Sequence, residues 1–286
     1  IRARGLTLLT RQDRLDALVG AADDPAEIGV QDLVITTLKA PSLPDFACRV
    51  APLIGSDTRI VFAQNGIPWW YALGAPADSV GAVPWPDLSF LDPGGLIAAS
   101  VPHERCYGAV VTSGNSVIEP GVIDNSSTTN TVLLAPILPI RNAGDDTLVV
   151  GLRKLFTDAQ LVSPPVADLR LEIWCKLLIN IITGSTVLTG RDTASSLADA
   201  EVRATAQRLA DEVVAIGAAY GKLLTNKLPV APPGKKASLL EDFEKGRAME
   251  VDAQFNAPLA FARAAGIDVP VLETVAHLIA FQARQR

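Results

Sequence analysis

Cysteine is scarce in this sequence: Cys48, Cys106 and Cys175 are the only three in 286 residues, and no two stand at a C-x-x-C spacing. An odd, scattered set of thiols offers neither a disulfide framework nor the paired ligands of a structural zinc site. It fits a reducing, cytoplasmic setting, with all three thiols read as small buried hydrophobes and no metal expected. Positive charge is also short. Lys and Arg total 25 against 31 Asp and Glu, for a net charge of −6, and no cluster of five or more basic residues occurs. The electrostatic footprint that a nucleic acid requires is therefore missing. Long apolar runs are missing as well: LVIT at 33–36 and LLINII at 177–182 fall far below the roughly 18–20 residues of a membrane span. Ile1 to Gly5 carry two arginines with no apolar stretch behind them, so they do not read as a signal peptide. No internal repeat is visible.

What is present is a hydrophobic fraction of 49% over 286 residues, enough for two cores at about 100–200 residues per domain. In the first half, Asp32-Leu-Val-Ile-Thr-Thr-Leu38 follows the turn-prone Asp24-Pro25 and Gly29 and reads as a strand buried on both faces. A helix is expected over 43–53, and a second strand over 58–63 that ends in Gln64-Asn65-Gly66. Two parallel strands joined by a helix make the unit of an open α/β sheet. Pro68-Trp69-Trp70-Tyr71 and the Gly, Pro and Asp rich passage up to Gly95 suggest a long surface excursion. Short runs at 107–112, 117–118, 121–123 and 131–134 read as strands of a meander, with Glu119-Pro120-Gly121 as a turn. From about Ala167 onward apolar residues such as Val202, Leu209, Val213 and Ile216 recur at helical spacing. Ser163-Pro164-Pro165 is the natural linker. The expected fold class is α/β, a Rossmann-like domain over 1–165 followed by an all-helical domain over 166–286.

Three groups of residues could carry chemistry. Lys176 and Asn180 share one face of a segment that is apolar nearly all round, so they must be paired, reach the surface along the lysine stem, or face a site. Thr183, Gly184 and Ser185 follow one turn later and leave space there. Ser238 opens Ser238-Leu-Leu-Glu-Asp242, which reads equally as a helix N-cap, with Glu250 beyond it as a surface charge. Lys39 and Asn65 stand where strands give way to loops, and ligands of open α/β sheets bind beyond strand carboxyl ends.

Taken in order, Asp32 to Ala40, Gln64-Asn65-Gly66, Asp92-Pro-Gly-Gly95, Trp174-Cys-Lys176-Leu-Leu-Ile-Asn180, Ser238 to Asp242 with Gly246-Arg247 and Glu250-Val-Asp252, and Ala265 to Pro270 resemble the signature segments of the ketopantoate reductase family. The resemblance implies NADPH-dependent reduction of a 2-oxoacid held between a Rossmann-like domain and a helical substrate and dimerisation domain, and it leaves a homodimer open. It implies Lys39 and Asn65 as cofactor contacts, Lys176 as general acid, Asn180, Ser238 and Asn65 at the substrate, and Glu250 beside the nicotinamide ribose. Burial should lower the Lys176 pKa, while a carboxylate such as Glu250 would oppose that.

Two features depart from the family pattern. Gly184 stands where a second asparagine is usual, which is expected to redirect substrate choice, with Ser185 or an aromatic wall from Trp69 and Trp70 compensating. No G-x-G-x-x-G precedes the strand at 32–38. The family's first strand and phosphate loop would then lie upstream of Ile1, and the 286 residues alone would hold NADPH weakly. Two other readings stay open: an inactive member serving as a binding protein, and a 3-hydroxyacid dehydrogenase of the β-hydroxyisobutyrate type.

Overall fold

The computed structural model describes residues 1–74, 83–138 and 147–285. Its contacts divide the chain into two units: Ile1–Thr37, Asp45–Ala63 and Ser100–Leu169 form the first, and Leu38–Pro44, Gln64–Ala99 and Arg170–Arg286 the second.

The first unit holds two four-stranded sheets and the short helix α1 (Pro25–Ile28). One contains β3 (Leu33–Thr36), β4 (Arg59–Ala63), β5 (Cys106–Thr112) and β8 (Thr131–Pro136) in the order β3-β4-β5-β8. β3 is parallel to β4 and β4 to β5, whereas β8 runs antiparallel to β5. The connection between β3 and β4 carries α2 (Leu43–Arg49) and a 3-10 turn at Ala51–Leu53, which together make up the helix expected over 43–53. Val61, Tyr107, Ala109, Val132 and Leu134 pack with Val149 and Leu152 of α4 (Thr147–Asp158), because alternate strand residues and one helical stripe present apolar faces. β3 is not buried on both faces as expected. Ile35 is 43% exposed.

The second sheet has the order β2-β1-β7-β6, with β1 (Leu6–Leu9), β2 (Arg14–Ala17), β6 (Asn115–Glu119) and β7 (Val122–Asn125). The single meander read over 107–134 is therefore split. Its outer runs join the mixed sheet β3-β4-β5-β8, while Pro120-Gly121 turns a hairpin that pairs with β1. A run of short strands carries no mark of which sheet each will join, since pairing partners are set by distant residues. Ser163 is buried and donates to the Val132 carbonyl at 2.7 Å, so the expected linker is pinned at its first residue.

The second unit is mainly helical: α3 (Leu96–Ser100), α5 (Leu169–Gly184), α6 (Thr193–Ala198), α7 (Ala200–Ala219), α8 (Ser238–Glu244), α9 (Ala257–Ala265) and α10 (Pro270–Arg284). The Asp92 carboxylate accepts from the Ile97 and Ala98 amides at 2.8 and 2.9 Å, which caps α3. Glu212 of α7 does the same for α10 through Val271 and Leu272. α9 stops at Gly266, whose φ of 65° suits the left-handed cap, and Pro270 then starts α10.

Pro68-Trp69-Trp70-Tyr71 is core, not a surface excursion: Trp70 is 2% and Tyr71 1% exposed. The Tyr71 ring meets Trp85 and Phe261 at 5.8 and 5.6 Å, and Trp174 Nε1 donates to its hydroxyl at 2.8 Å. Arg170 lies over the Trp70 and Tyr71 rings at 5.8 and 5.6 Å. Residues 75–82 of that passage lie outside the described residues. Cysteine burial also differs from expectation, since Cys48 is exposed, Cys106 buried and Cys175 intermediate.

With its 3-10 continuation α5 reaches Leu188, giving 20 residues of mean hydropathy 1.4 over its most apolar window, the one stretch among the described residues long and apolar enough to cross a membrane. Trp174, Leu177, Leu178, Ile181 and Ile182 are nonetheless buried inside the second unit. Burying side chains of this size stabilises the fold by about 1.5–3 kcal/mol each, which makes α5 its core helix.

Candidate functional site

The site grows from the ends of two short segments and from α5, all in the second unit. After β3 the chain runs through Lys39 into a 3-10 turn at Ala40–Ser42, whose first amide points outward for want of an earlier carbonyl. That amide, Ala40 N, donates to Glu250 Oε1 at 3.3 Å. After β4 comes Gln64-Asn65-Gly66. Asn65 Nδ2 lies 3.5 Å from Glu250 Oε2, and Gln254 Nε2 donates to the same oxygen at 3.2 Å. Glu250 is 3% exposed, so three donors from three places in the chain satisfy one buried carboxylate.

What holds Asn65 there is its neighbour. Gly66 adopts a φ of +77°, and a Cβ on it would stand 2.5 Å from the Ala253 carbonyl oxygen. The Ile67 amide donates to that oxygen at 2.8 Å. Ala253 belongs to a π-helical turn, Asp252–Asn256. The wider turn, of a kind frequent at functional sites, lets a foreign backbone dock against the helix.

Lys176 is partly buried on α5, a helix whose Ile173, Leu177 and Leu178 are buried. Burial pushes its pKa down to about 8, and the charge of Glu250 acts in the opposite direction. Glu250 is itself shifted upward, chiefly by burial, with the Ala40 amide, the Lys39 ammonium and Asn65 pulling it back. The opposed effects on Lys176 are those expected from sequence.

Lys39 pairs with Asp242 of α8, which is 1% exposed and also accepts from Arg247 Nε at 2.8 Å. The structure thus gathers Lys39, Asn65, Glu250 and, through the field of Glu250, Lys176. It does not bring Asn180 or Ser238 into hydrogen bonds with them. Asn180 lies one turn beyond Lys176 and its Nδ2 is buried without a hydrogen-bond partner. Ser238 is exposed as the first residue of α8, and it is no N-cap: Ala237 holds that position, and no side chain caps the helix. Gln254, Asp242 and the π turn were missed by sequence reasoning. For Gln254 the signal was there, four residues after Glu250 on one helical face.

The space expected at Gly184 is absent. A Cβ there would meet Leu239 Cδ2 at 3.2 Å and Phe255 Cζ at 3.3 Å, and both side chains are buried. Asparagine at 184 would displace them, so Gly184→Asn is expected to destabilise the protein by about 1–3 kcal/mol before it changes any specificity. Thermal unfolding of the purified variant checks this. Ser185 donates to the Ile182 carbonyl at 2.8 Å.

The model of the family described as "Ketopantoate reductase PanE/ApbA" matches residues 1–136, and that of its C-terminal part matches 168–283. A 2-dehydropantoate 2-reductase of Mesorhizobium japonicum is 32% identical over 299 residues, covering 100% of this chain and 87% of that protein. The crystal structure of a 2-dehydropantoate 2-reductase from Geobacter metallireducens superposes with a TM-score of 0.80 at 25% identity, covering 98% of this chain and 87% of that one. A dimeric ketopantoate reductase from Staphylococcus aureus shares the fold, with a TM-score of 0.74 at 19% identity and coverage of 98% and 87%. With two family models spanning both parts of the chain and a relative matched along its whole length, this protein belongs to the ketopantoate reductase family of oxidoreductases.

Proposed function

We propose that this chain reduces a 2-oxoacid resembling ketopantoate to its 2-hydroxyacid with NADPH, Lys176 serving as general acid. The observation that carries the proposal is a lysine on the core helix, its pKa near 8, within the field of a buried glutamate that also receives Asn65 and the Ala40 amide. The donor set suits the polar nicotinamide and ribose end of a dinucleotide. Glu250 offers carboxylate oxygens to ribose hydroxyls, Asn65 an amide, and Lys39 a positive charge for an anionic group. The 286 residues contain no G-x-G-x-x-G to cradle the pyrophosphate, so the fit extends to that end alone.

A bound dinucleotide would supply the hydride. As the ketone carbon is reduced, negative charge builds on its oxygen, and an ammonium at that oxygen both stabilises the charge and delivers the proton. Lys176 would hold that proton. Asn180 and Ser238 would orient the oxoacid, Asn180 with a donor that finds no partner in the protein. Residues 1–165 would serve the dinucleotide and 166–286 the substrate and a homodimer contact, in a cytoplasmic protein.

The sign of the pH dependence follows from Lys176. Its folded pKa lies below the ordinary 10.5, at about 8, so the proton-bearing form dominates below that pH. Turnover should be flat below about pH 8 and fall above it, as the acid is lost. A kcat profile at saturating substrates tests this, and a profile that rises through pH 8 would remove Lys176 as the acid.

A further inference from the structure

Among the described residues, Asp242 is the least accessible charged residue of the second unit, and it has no part in the chemistry just described. Its side chain is 1% exposed, yet one oxygen meets the Lys39 ammonium and the other the Arg247 guanidinium at 2.8 Å, while the Arg247 amide donates to its carbonyl at 2.8 Å. The two cations are far more open, Lys39 at 37% and Arg247 at 46% side-chain exposure. A carboxylate this deeply buried is fixed by packing, whereas a lysine stem alone leaves its ammonium free to sweep through many rotamers. Glu250 is near enough to feel the charges of both Lys39 and Asp242. Arg247, Asp242, Lys39 and Glu250 therefore form a cluster of two cations and two buried acids.

We propose that Asp242 is a positioning residue that holds the Lys39 ammonium in place for an anionic group of the cofactor. This rests on the reading of Lys39 as a cofactor contact. Asp242 itself touches no ligand in this account. Its work is to remove the choice of rotamer from Lys39, so that the ordering cost is met by the fold rather than by binding. Arg247 meets the second oxygen, so the Asp242 carboxylate is shared between two cations, and the Lys39 side chain, 37% exposed, stays within reach of an anion.

The test is a mutant cycle read as NADPH dissociation constant and as KM and kcat separately, in the protein as its cell makes it. Lys39→Met should weaken NADPH binding about tenfold or more, the value of a lost charge-assisted contact. Asp242→Asn should weaken it by a comparable factor, with kcat at saturating NADPH within about twofold of wild type. In the Lys39→Met background Asp242→Asn should add almost nothing, because the residue acts through Lys39. Equal factors in both backgrounds would mean a merely structural role and overturn the proposal. Unchanged binding in Lys39→Met would overturn the reading of Lys39 as well, whereas unchanged binding in Asp242→Asn alone would sink only the positioning role. Should Asp242→Asn fail to fold, Asp242→Glu keeps the charge but moves it by one methylene. It should still weaken NADPH binding about threefold through a displaced Lys39, and wild-type binding there would overturn the proposal.

Discussion

Lys176→Ala is expected to lower kcat by roughly 10²-fold or more with little change in NADPH affinity, since general acid catalysis alone contributes about that much. The alanine carries no ionisable group, so no pH can restore the missing proton donor. Loss of activity should accordingly persist at every pH, with no rescue on acidification. Stopped-flow measurement of a single turnover on the 2-oxoacid separates this loss from slow product release. Near wild-type single-turnover rates would place the proton elsewhere.

The second large effect is structural. Gly66→Ala puts a Cβ at 2.5 Å from the Ala253 carbonyl oxygen, on a residue whose φ of +77° already disfavours any side chain. A left-handed conformation costs about 1–2 kcal/mol and overpacking about 1–3 kcal/mol, and here the obstacle is backbone, which cannot rotate away. A loss of roughly 2–5 kcal/mol is expected by chemical denaturation. Asn65 would be pulled off Glu250 at the same time. A variant of wild-type stability would show that the docking of Gly66 on the π turn is not what holds this loop.

How much of this was legible in the sequence differs from residue to residue. Lys176 could be found because a lysine in an otherwise apolar helix is an anomaly that needs a reason, and the α/β-then-helical order followed from buried strand runs giving way to helical spacing. Glu250 was legible only through the order of the motifs, because its surroundings come from three distant segments: the Ala40 amide, Asn65 and Gln254. Trp69, Trp70 and Tyr71 were misread for a similar reason. Flanking Gly and Pro mark a loop locally, but Phe261 and Trp174, the partners that bury this segment, lie a hundred residues or more away in sequence. At Gly184 the sequence says only that a side chain is absent. Whether the space is open or already filled by Leu239 and Phe255 depends on packing. The wide turn at 252–256 has no sequence pattern of its own, and the assignment of β6 and β7 to a separate sheet depends on β1, more than a hundred residues earlier.

The central claim, reduction of a 2-oxoacid, is tested most directly by product analysis of the protein as its cell makes it, with NADPH and a panel of 2-oxoacids and 3-oxoacids. The expected result is consumption of NADPH matched mole for mole by a 2-hydroxyacid from at least one 2-oxoacid, and no turnover of the 3-oxoacids. Turnover confined to the 3-oxoacids, or tight NADPH binding with no turnover of any acid in the panel, would contradict it.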